Sequence, residues 1–325
     1  MRVIAFDIGG SSIKSALIDA SSAQAEIIER YDVIDLQTRH FKEVKAAVFR
    51  ALDVSAVASG AAVVGISTTG TVDSSGVVLN AGHFDGYTNI DWRKLISAKW
   101  PSIHSVSTVN DGRASTWAEY LVRQRDCKYF AHLVVGTGVG GASVAAGHLV
   151  LGDNDHAGHF GHLKVTAEET IRCSCGGYGC VETLAGARGV VADYLRRKRD
   201  PLWATNASVQ FSDIIDAARR RDRYALEALT RAGEWLGTGI SFLTNIFNPR
   251  YVTLGGGVVV AGDRLKEELG VDPFFDAAVS TAKALAHKRA VENTSISKAT
   301  HGNDGGLFGA AALASREAMH APSSQ

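Results

Sequence analysis

The sequence has no charge imbalance: Lys+Arg and Asp+Glu stand at 34 each, for a formal net charge of +0. No global field therefore favours nucleic acid or an anionic membrane surface, and the expected partner is small or protein-like. An uninterrupted apolar run of the ~18 residues that a spanning helix needs is missing, as is a cationic N-terminal segment leading to an apolar stretch and a cleavage site. A soluble cytoplasmic protein is the expectation. Cysteine is scarce, with four in 325 residues, which excludes a disulfide framework. Three of them, Cys173, Cys175 and Cys180, fall within eight residues, the spacing of a metal or redox cluster. Cys127 stands alone and reads as packing.

What is present is ample apolar material. At 325 residues and 46% hydrophobic, the chain can bury one large core or two of ordinary size, and two domains are the better prior. It opens with an apolar run from Val3 to Phe6, a turn Asp7-Ile8-Gly9-Gly10-Ser11-Ser12, and a second run from Ile13 to Ile18. This spacing predicts two short strands around a glycine-rich turn. Helical periodicity follows from Phe41 to about Val57, then a buried strand from Ala61 to Ile66. The same syntax returns at Ala131 to Val135, Gly136-Thr137-Gly138-Val139-Gly140-Gly141 and Ala142 to Ala146, as a second copy of one module. Leu184 to Phe247 reads as helical up to Asn248-Pro249, Tyr251 to Leu254 as a strand running into Gly255-Gly256-Gly257, and Gly305 to about Met319 as a last helix. The tail Ala321 to Gln325 carries no pattern and is expected to fray. The basic runs Arg196 to Arg199 and Arg219 to Arg221 sit among acidic neighbours, as on solvated helix faces.

Asp7 puts a carboxylate at a strand end beside Gly9, Gly10, Ser11, Ser12 and Lys14, where backbone N–H groups can approach an anion. A phosphate with magnesium fits, and so does a plain hairpin turn. The second turn, Gly136, Thr137, Gly138, Val139 and Gly140, favours the phosphate reading, because two such turns could cradle the terminal and inner phosphates of ATP. Neither has Walker spacing, and no acidic residue follows at the Rossmann distance. Asn110-Asp111 ends an alternating stretch before a helix predicted from about Ser115 to Arg123. A carboxylate there can take the proton of an attacking hydroxyl, a role worth roughly 10²–10⁴ in rate. A helix-capping role would account for Asp111 equally well.

His162, ten intervening residues, and then Cys173, Cys175 and Cys180 make a closed set of one imidazole and three thiolates, typical of structural zinc. A redox pair is the rival, but Cys-x-Cys lacks the two-residue spacing of thioredoxin-like thiols. With four protein ligands such an ion organises its loop and does not activate water. It would hold His159 and Glu182 beside whatever the loop lines.

Together these residues resemble the ROK family, whose repressors and sugar kinases are built on the actin-like ATPase (ribonuclease H-like) fold. Asp7 to Lys14 is similar to its first phosphate motif, with serine where threonine is usual. Gly136 to Gly141 is similar to the second, Asn110-Asp111 to its catalytic pair, and Cys173 to Glu182 to its signature CxCGxxGCxE. The resemblance implies a two-domain α/β fold with an interdomain cleft: residues 1–120 plus a returning helix at 303–320 as the small domain, and 121–302 as the larger one. It implies ATP-dependent phosphorylation of a sugar 6-hydroxyl with Asp111 as base, Asp7 positioning the Mg2+ of ATP, and Gly255, Gly256 and Gly257 along the adenosine. Gly70, Asn110, Asp111, His159, His162 and Glu182 are the implied sugar contacts, Zn2+ the implied structural ion, and a homodimer or homotetramer the implied assembly.

Two positions depart from that pattern. The family's usual ExGH reads here His159-Phe160-Gly161-His162, so a carboxylate acceptor has become an imidazole that cannot take two hydroxyls in bidentate fashion. Ala157 to His162, with Trp117-Ala118-Glu119, is similar to the bacterial N-acetylmannosamine kinases, and an N-acetyl carbonyl suits a histidine donor. A glucokinase, or a kinase of another hexose or of N-acetylglucosamine, is the alternative. A sugar-responsive transcriptional regulator without its DNA-binding domain is the alternative of another class, disfavoured because Asp7 follows the start so closely. Arg113 stands where the family more often has a small residue, and the sequence leaves open whether it faces solvent or the cleft.

Overall fold

A computed structural model describes residues 1–22, 25–82, 84–123, 126–168, 171–199 and 209–320. The tail 321–325, expected to fray, and the stretch 200–208 of the long helical region lie outside them. The chain begins with β1 (Arg2–Ile8), β2 (Ser12–Asp19), β3 (Glu26–Arg30), β4 (Ile34–Asp35), α1 (Phe41–Ser59) and β5 (Val63–Thr68). It continues through β6 (Thr71–Val72), β7 (Val77–Asn80), β8 (Thr88–Asp91), α2 (Trp92–Ser97), β9 (Ser105–Asn110) and α3 (Asp111–Arg123). Next come β10 (Phe130–Val135), β11 (Val139–Ala145), β12 (His148–Leu149), α4 (Val181–Ala185), α5 (Ala187–Arg197), α6 (Phe211–Arg219) and α7 (Arg223–Phe247). The last elements are β13 (Tyr251–Gly255), α8 (Gly257–Leu269), α9 (Pro273–Leu285), α10 (Lys288–Val291), β14 (Ser295–Lys298) and α11 (Gly305–His320). No helix among the described residues is long and apolar enough to cross a membrane.

Two compact units form. One takes Met1–Gln124, Leu149–Ala157 and Asp304–Gln325; the other takes Arg125–His148 and Gly158–Asn303. The first holds a sheet in the order β3-β2-β1-β5-β9, the second a sheet in the order β12-β11-β10-β13-β14. In each, an antiparallel hairpin (β1–β2, β10–β11) is continued by parallel strands (β5 and β9, β13 and β14). The repeated module legible in the sequence is thus a repeated topology. β5 reads VVGIST and is buried at every position, as a parallel strand covered on both faces must be.

One face of the first sheet packs on α1 and an aromatic cluster, where the Trp92 indole donates to the Tyr87 hydroxyl at 2.8 Å inside the core. The other face, with Val3, Ala5, Ile18 and Val63, takes Leu307, Ala311 and Ala314 of α11. That helix lies close because its contact residues are small. A Cβ on Gly65 would meet the Ala310 carbonyl, and one on Gly309 the Ala114 carbonyl of α3. The second unit centres on α7, whose buried stripe from Ala225 to Leu243 joins the sheet core and α9.

The α3–α11 crossing gives a direct test. Gly309→Ala forces a methyl into a backbone carbonyl, an overpacking that should cost about 1–3 kcal/mol of unfolding free energy with an unchanged denaturant slope. Chemical denaturation measures it, and full stability in the variant would mean that the two helices cross elsewhere.

Candidate active site

In the first unit the chemistry-bearing residues collect where three parallel strands end. Asp7 of β1 is level with Ser67 of β5, and Thr68 of β5 is level with Asn110 of β9. Carboxyl ends of parallel strands are where open α/β sheets place ligands. The turn after β1 is closed by the Gly9 amide donating to the Ser12 carbonyl at 3.0 Å, and Asp7 faces Lys14 across the hairpin. The Ser67 hydroxyl donates to Asp7 Oδ1 at 2.8 Å. Burial raises the Asp7 carboxyl above its ordinary range, opposed by the Ser67 hydrogen bond and the Lys14 charge. A Cβ on Gly306 would overlap the Asp7 carboxylate, so the first turn of α11 abuts this acid because residue 306 has no side chain.

Asp111 opens α3, four residues before the expected helix start near Ser115. The capping duty falls to its neighbour: Asn110 Oδ1 accepts the Arg113 amide at 3.2 Å, while Asn110 Nδ2 donates to the Gly70 carbonyl and to Asp111 Oδ1, at 2.8 and 2.9 Å. Gly70 takes φ 97°, and a Cβ there would collide with the backbone of Asn80, so glycine is required where its carbonyl meets Asn110. Asp111 Oδ1 also accepts the Gly112 amide at 2.8 Å. Burial first, and the nearby Asp7 second, push the Asp111 carboxyl up to about 6.

Arg113 does not face solvent. It is 6% exposed, and its guanidinium donates to the carbonyls of Val72, at 3.0 Å, and Asp155. Asp155 has φ 57° and its side chain accepts the Ser74 amide at 2.8 Å. The arginine therefore ties α3 to the segment Leu149–Ala157 of the same unit. Nothing in the sequence pattern signalled this tie.

In the second unit the turn after β10 and the end of β13 lie side by side, because those strands are parallel neighbours. The Gly136 amide donates to the Gly138 carbonyl at 2.9 Å, and the Ala187 amide to the Gly136 carbonyl at 2.9 Å. Gly256, at φ 92°, passes so close to Val135 that a Cβ would overlap its backbone, and Gly257 begins the 13-residue helix α8. A glycine turn beside a helix N-terminus presents N–H groups and a positive dipole end to an anion.

Next to this turn lies the histidine–cysteine cluster. The ligand atoms of His162, Cys173, Cys175 and Cys180 all lie within 4.8 Å of one another. Cys173 Sγ is 3.3 Å from His162 Nδ1, and Cys175 Sγ is 3.6 Å from Cys180 Sγ. Tetrahedral bonds of about 2.3 Å place ligand atoms roughly 3.7 Å apart, so the donor set fits a zinc-sized ion. The Gly177 backbone hydrogen bond, the largest cause, lowers the exposed Cys175 thiol to about 7, while burial pushes the Cys173 thiol up to about 12.

His159 precedes and His162 ends a single 3-10 turn, with ring centroids 6.0 Å apart. A Cβ on Gly161 in that turn would overlap the Val139 carbonyl. Glu182 does not ride on the metal loop, as the sequence suggested; it lies in the first turn of α4, two residues after Cys180. There it fills the space beside Gly138, where a Cβ would meet its carboxylate at 2.5 Å. The second phosphate-type turn, the Glu182 carboxylate, His162 and the thiols thus form one cluster.

The sequence model of the ROK family matches residues 3–317. The chain is 29% identical over 322 residues to the N-acetylmannosamine kinase of Escherichia coli strain SMS-3-5, covering 98% of this chain and 100% of that protein. It is 26% identical to a glucokinase of Halalkalibacterium halodurans, covering 94% and 92% respectively. In structure it matches a ROK family glucokinase of Streptomyces griseus, solved with glucose and AMPPNP, at a TM-score of 0.78 and 24% identity over 97% of this chain and 100% of that one.

The Arg113 tie generates a stability test. Arg113→Met strands the buried Val72 carbonyl and the partly buried Asp155 carbonyl and should cost about 1–3 kcal/mol of unfolding free energy, with Arg113→Lys recovering part of it. Equal denaturation midpoints for Arg113→Met and the native chain would contradict the tie.

Proposed function

The chain belongs to the ROK family, has the α/β actin-like ATPase fold of its sugar kinases and is an ATP-dependent sugar kinase; from that premise we propose that it phosphorylates an N-acetylated hexosamine, N-acetyl-D-mannosamine foremost, at the 6-hydroxyl. The observation that carries the catalytic part is Asp111, a carboxylate at the start of α3, directly after β9, whose affinity for a proton burial and Asp7 have raised toward neutrality. A base near the working pH is both ionised and able to accept a proton.

The 6-hydroxyl gives its proton to Asp111 as its oxygen attacks the γ-phosphorus, and the bond to the β,γ-bridging oxygen breaks to release ADP. Asn110 holds Asp111 through its amide and orients it toward the hydroxyl. Asp7, with Ser67 fixing one oxygen, is the residue that would hold the Mg2+ entering with ATP. The turn Gly9 to Ser12, with Lys14 across the hairpin, and the turn Gly136 to Gly140 supply N–H groups and charge for phosphate oxygens. Gly255 to Gly257 give the nucleoside a backbone with no side chains in its way.

For the sugar, Gly70, Asn110, His162 and Glu182 are assigned to hydroxyls. His159 is assigned to the N-acetyl carbonyl, because an imidazole N–H donates one bond where the usual glutamate would accept two. The 29% identity to an N-acetylmannosamine kinase supports this substrate, and the 26% identity to a glucokinase makes glucose the competitor to exclude. The histidine–cysteine cluster is assigned to structural Zn2+, which when bound would fix the turn bearing His159 and His162 to the start of α4.

Two measurements test the reading. An ATP-coupled sugar panel should give the highest kcat/KM with N-acetylmannosamine, lost by at least 10²-fold in Asp111→Asn. The native kcat/KM should fall as pH drops through about 6, where Asp111 takes up its proton. A preference for glucose would refute the role of His159, and turnover in Asp111→Asn equal to native would refute the base. Separately, metal analysis should find about one zinc per chain, and Cys175→Ser should release it with loss of sugar binding; metal-free protein of full activity would overturn the organising role of the ion.

A further inference from the structure

The assigned metal centre carries a charge that its four ligands do not balance. Three thiolates and a neutral imidazole around Zn2+ sum to one net negative charge. Cys173 and Cys180 are buried, and Glu182 Oε1 lies 3.7 Å from Cys173 Sγ, which adds to the negative field. An uncompensated charge in such a setting is costly.

Among the described residues, a cation that reaches these sulfurs is Lys164. Its Nζ donates to Cys180 Sγ at 2.8 Å and to Cys175 Sγ at 3.5 Å. Backbone pairing puts it there: Lys164 and Cys180 face each other in an antiparallel bridge, with the Val165 amide donating to the Gly179 carbonyl and the Val181 amide to the Leu163 carbonyl. A second observation points to the same spot from the other side. A Cβ on Gly177 would stand 2.6 Å from the Lys164 ammonium, so the glycine inside the cysteine loop keeps clear the space that the ammonium occupies. Gly177 thus admits a side chain from outside the loop.

We propose that Lys164 is the counter-charge of the metal centre, a positioning residue that binds no metal but donates to two of its thiolates and so brings the centre to neutrality. Hydrogen bonds to a metal-bound thiolate draw electron density from sulfur, which holds the charge of the centre in place and slows attack of oxidants and alkylating agents on it. Lys164 is exposed, so its substitution leaves the sheet and the core intact.

This inference rests on the assignment of zinc to the cluster, and the test separates the two. In the full-length protein, zinc affinity is measured by competition with a chromogenic chelator, zinc release by reaction with a thiol reagent, and the thiolate-to-metal absorption by Co2+ substitution. Lys164→Met should weaken zinc binding about 10–100-fold, speed release and shift the Co2+ charge-transfer bands, whereas Lys164→Arg should retain most of the native behaviour. Gly177→Ala, which crowds the ammonium without removing it, should fall between them. Native protein that takes up no zinc would overturn the assignment of the metal. Native protein with one tight zinc, together with Lys164→Met and Gly177→Ala matching it in affinity, release and Co2+ spectrum, would overturn the role of Lys164 alone.

Discussion

Two carboxylates held partly out of water in one unit, Asp7 and Asp111, set the condition that their surroundings must meet. Each raises the proton affinity of its site by burial, and Asp7 adds its charge to that of Asp111. The strands answer with local donors: Ser67 for Asp7, and Asn110 with the Gly112 amide for Asp111. Lys14 supplies opposing charge across the hairpin, and α11 brings its amino-terminal turn against Asp7 through Gly306. Sheet order makes this possible, since parallel β1, β5 and β9 deliver an acid, a hydroxyl and an amide–acid pair at one end of the sheet.

Much of this was legible beforehand, for physical reasons that differ by feature. Strands such as Val3 to Phe6 and the α11 stretch announce themselves by unbroken apolar character or helical period, and the two glycine turns by residues that make sense only where the backbone is approached closely. The cluster of His162, Cys173, Cys175 and Cys180 was legible because few other uses exist for that residue set in a cysteine-poor chain. The boundary at Asp111 was not, because Asn110 caps the helix and hides its start behind the strand that precedes it. The fate of Arg113 and the carriage of Glu182 on α4 were also beyond reach: each depends on which distant backbone carbonyl or glycine happens to lie opposite, and no local pattern encodes that.

The same hairpin-plus-parallel-strand order appears in both units, yet its ends are furnished differently. In the first unit they carry acids and hydroxyls, suited to proton transfer and a divalent ion. In the second they carry glycines backed by a helix N-terminus, suited to an extended anion, with a metal-type cluster alongside. One topology, repeated, thus presents two different sets of residues at its strand ends.

The contact between Gly138 and Glu182 has a mechanical consequence. Because the turn and the carboxylate meet with no room for a methyl group between them, a side chain at residue 138 would drive the Glu182 carboxylate from its place. Glycine at 138 therefore sets where Glu182 can sit at the start of α4, two residues from Cys180.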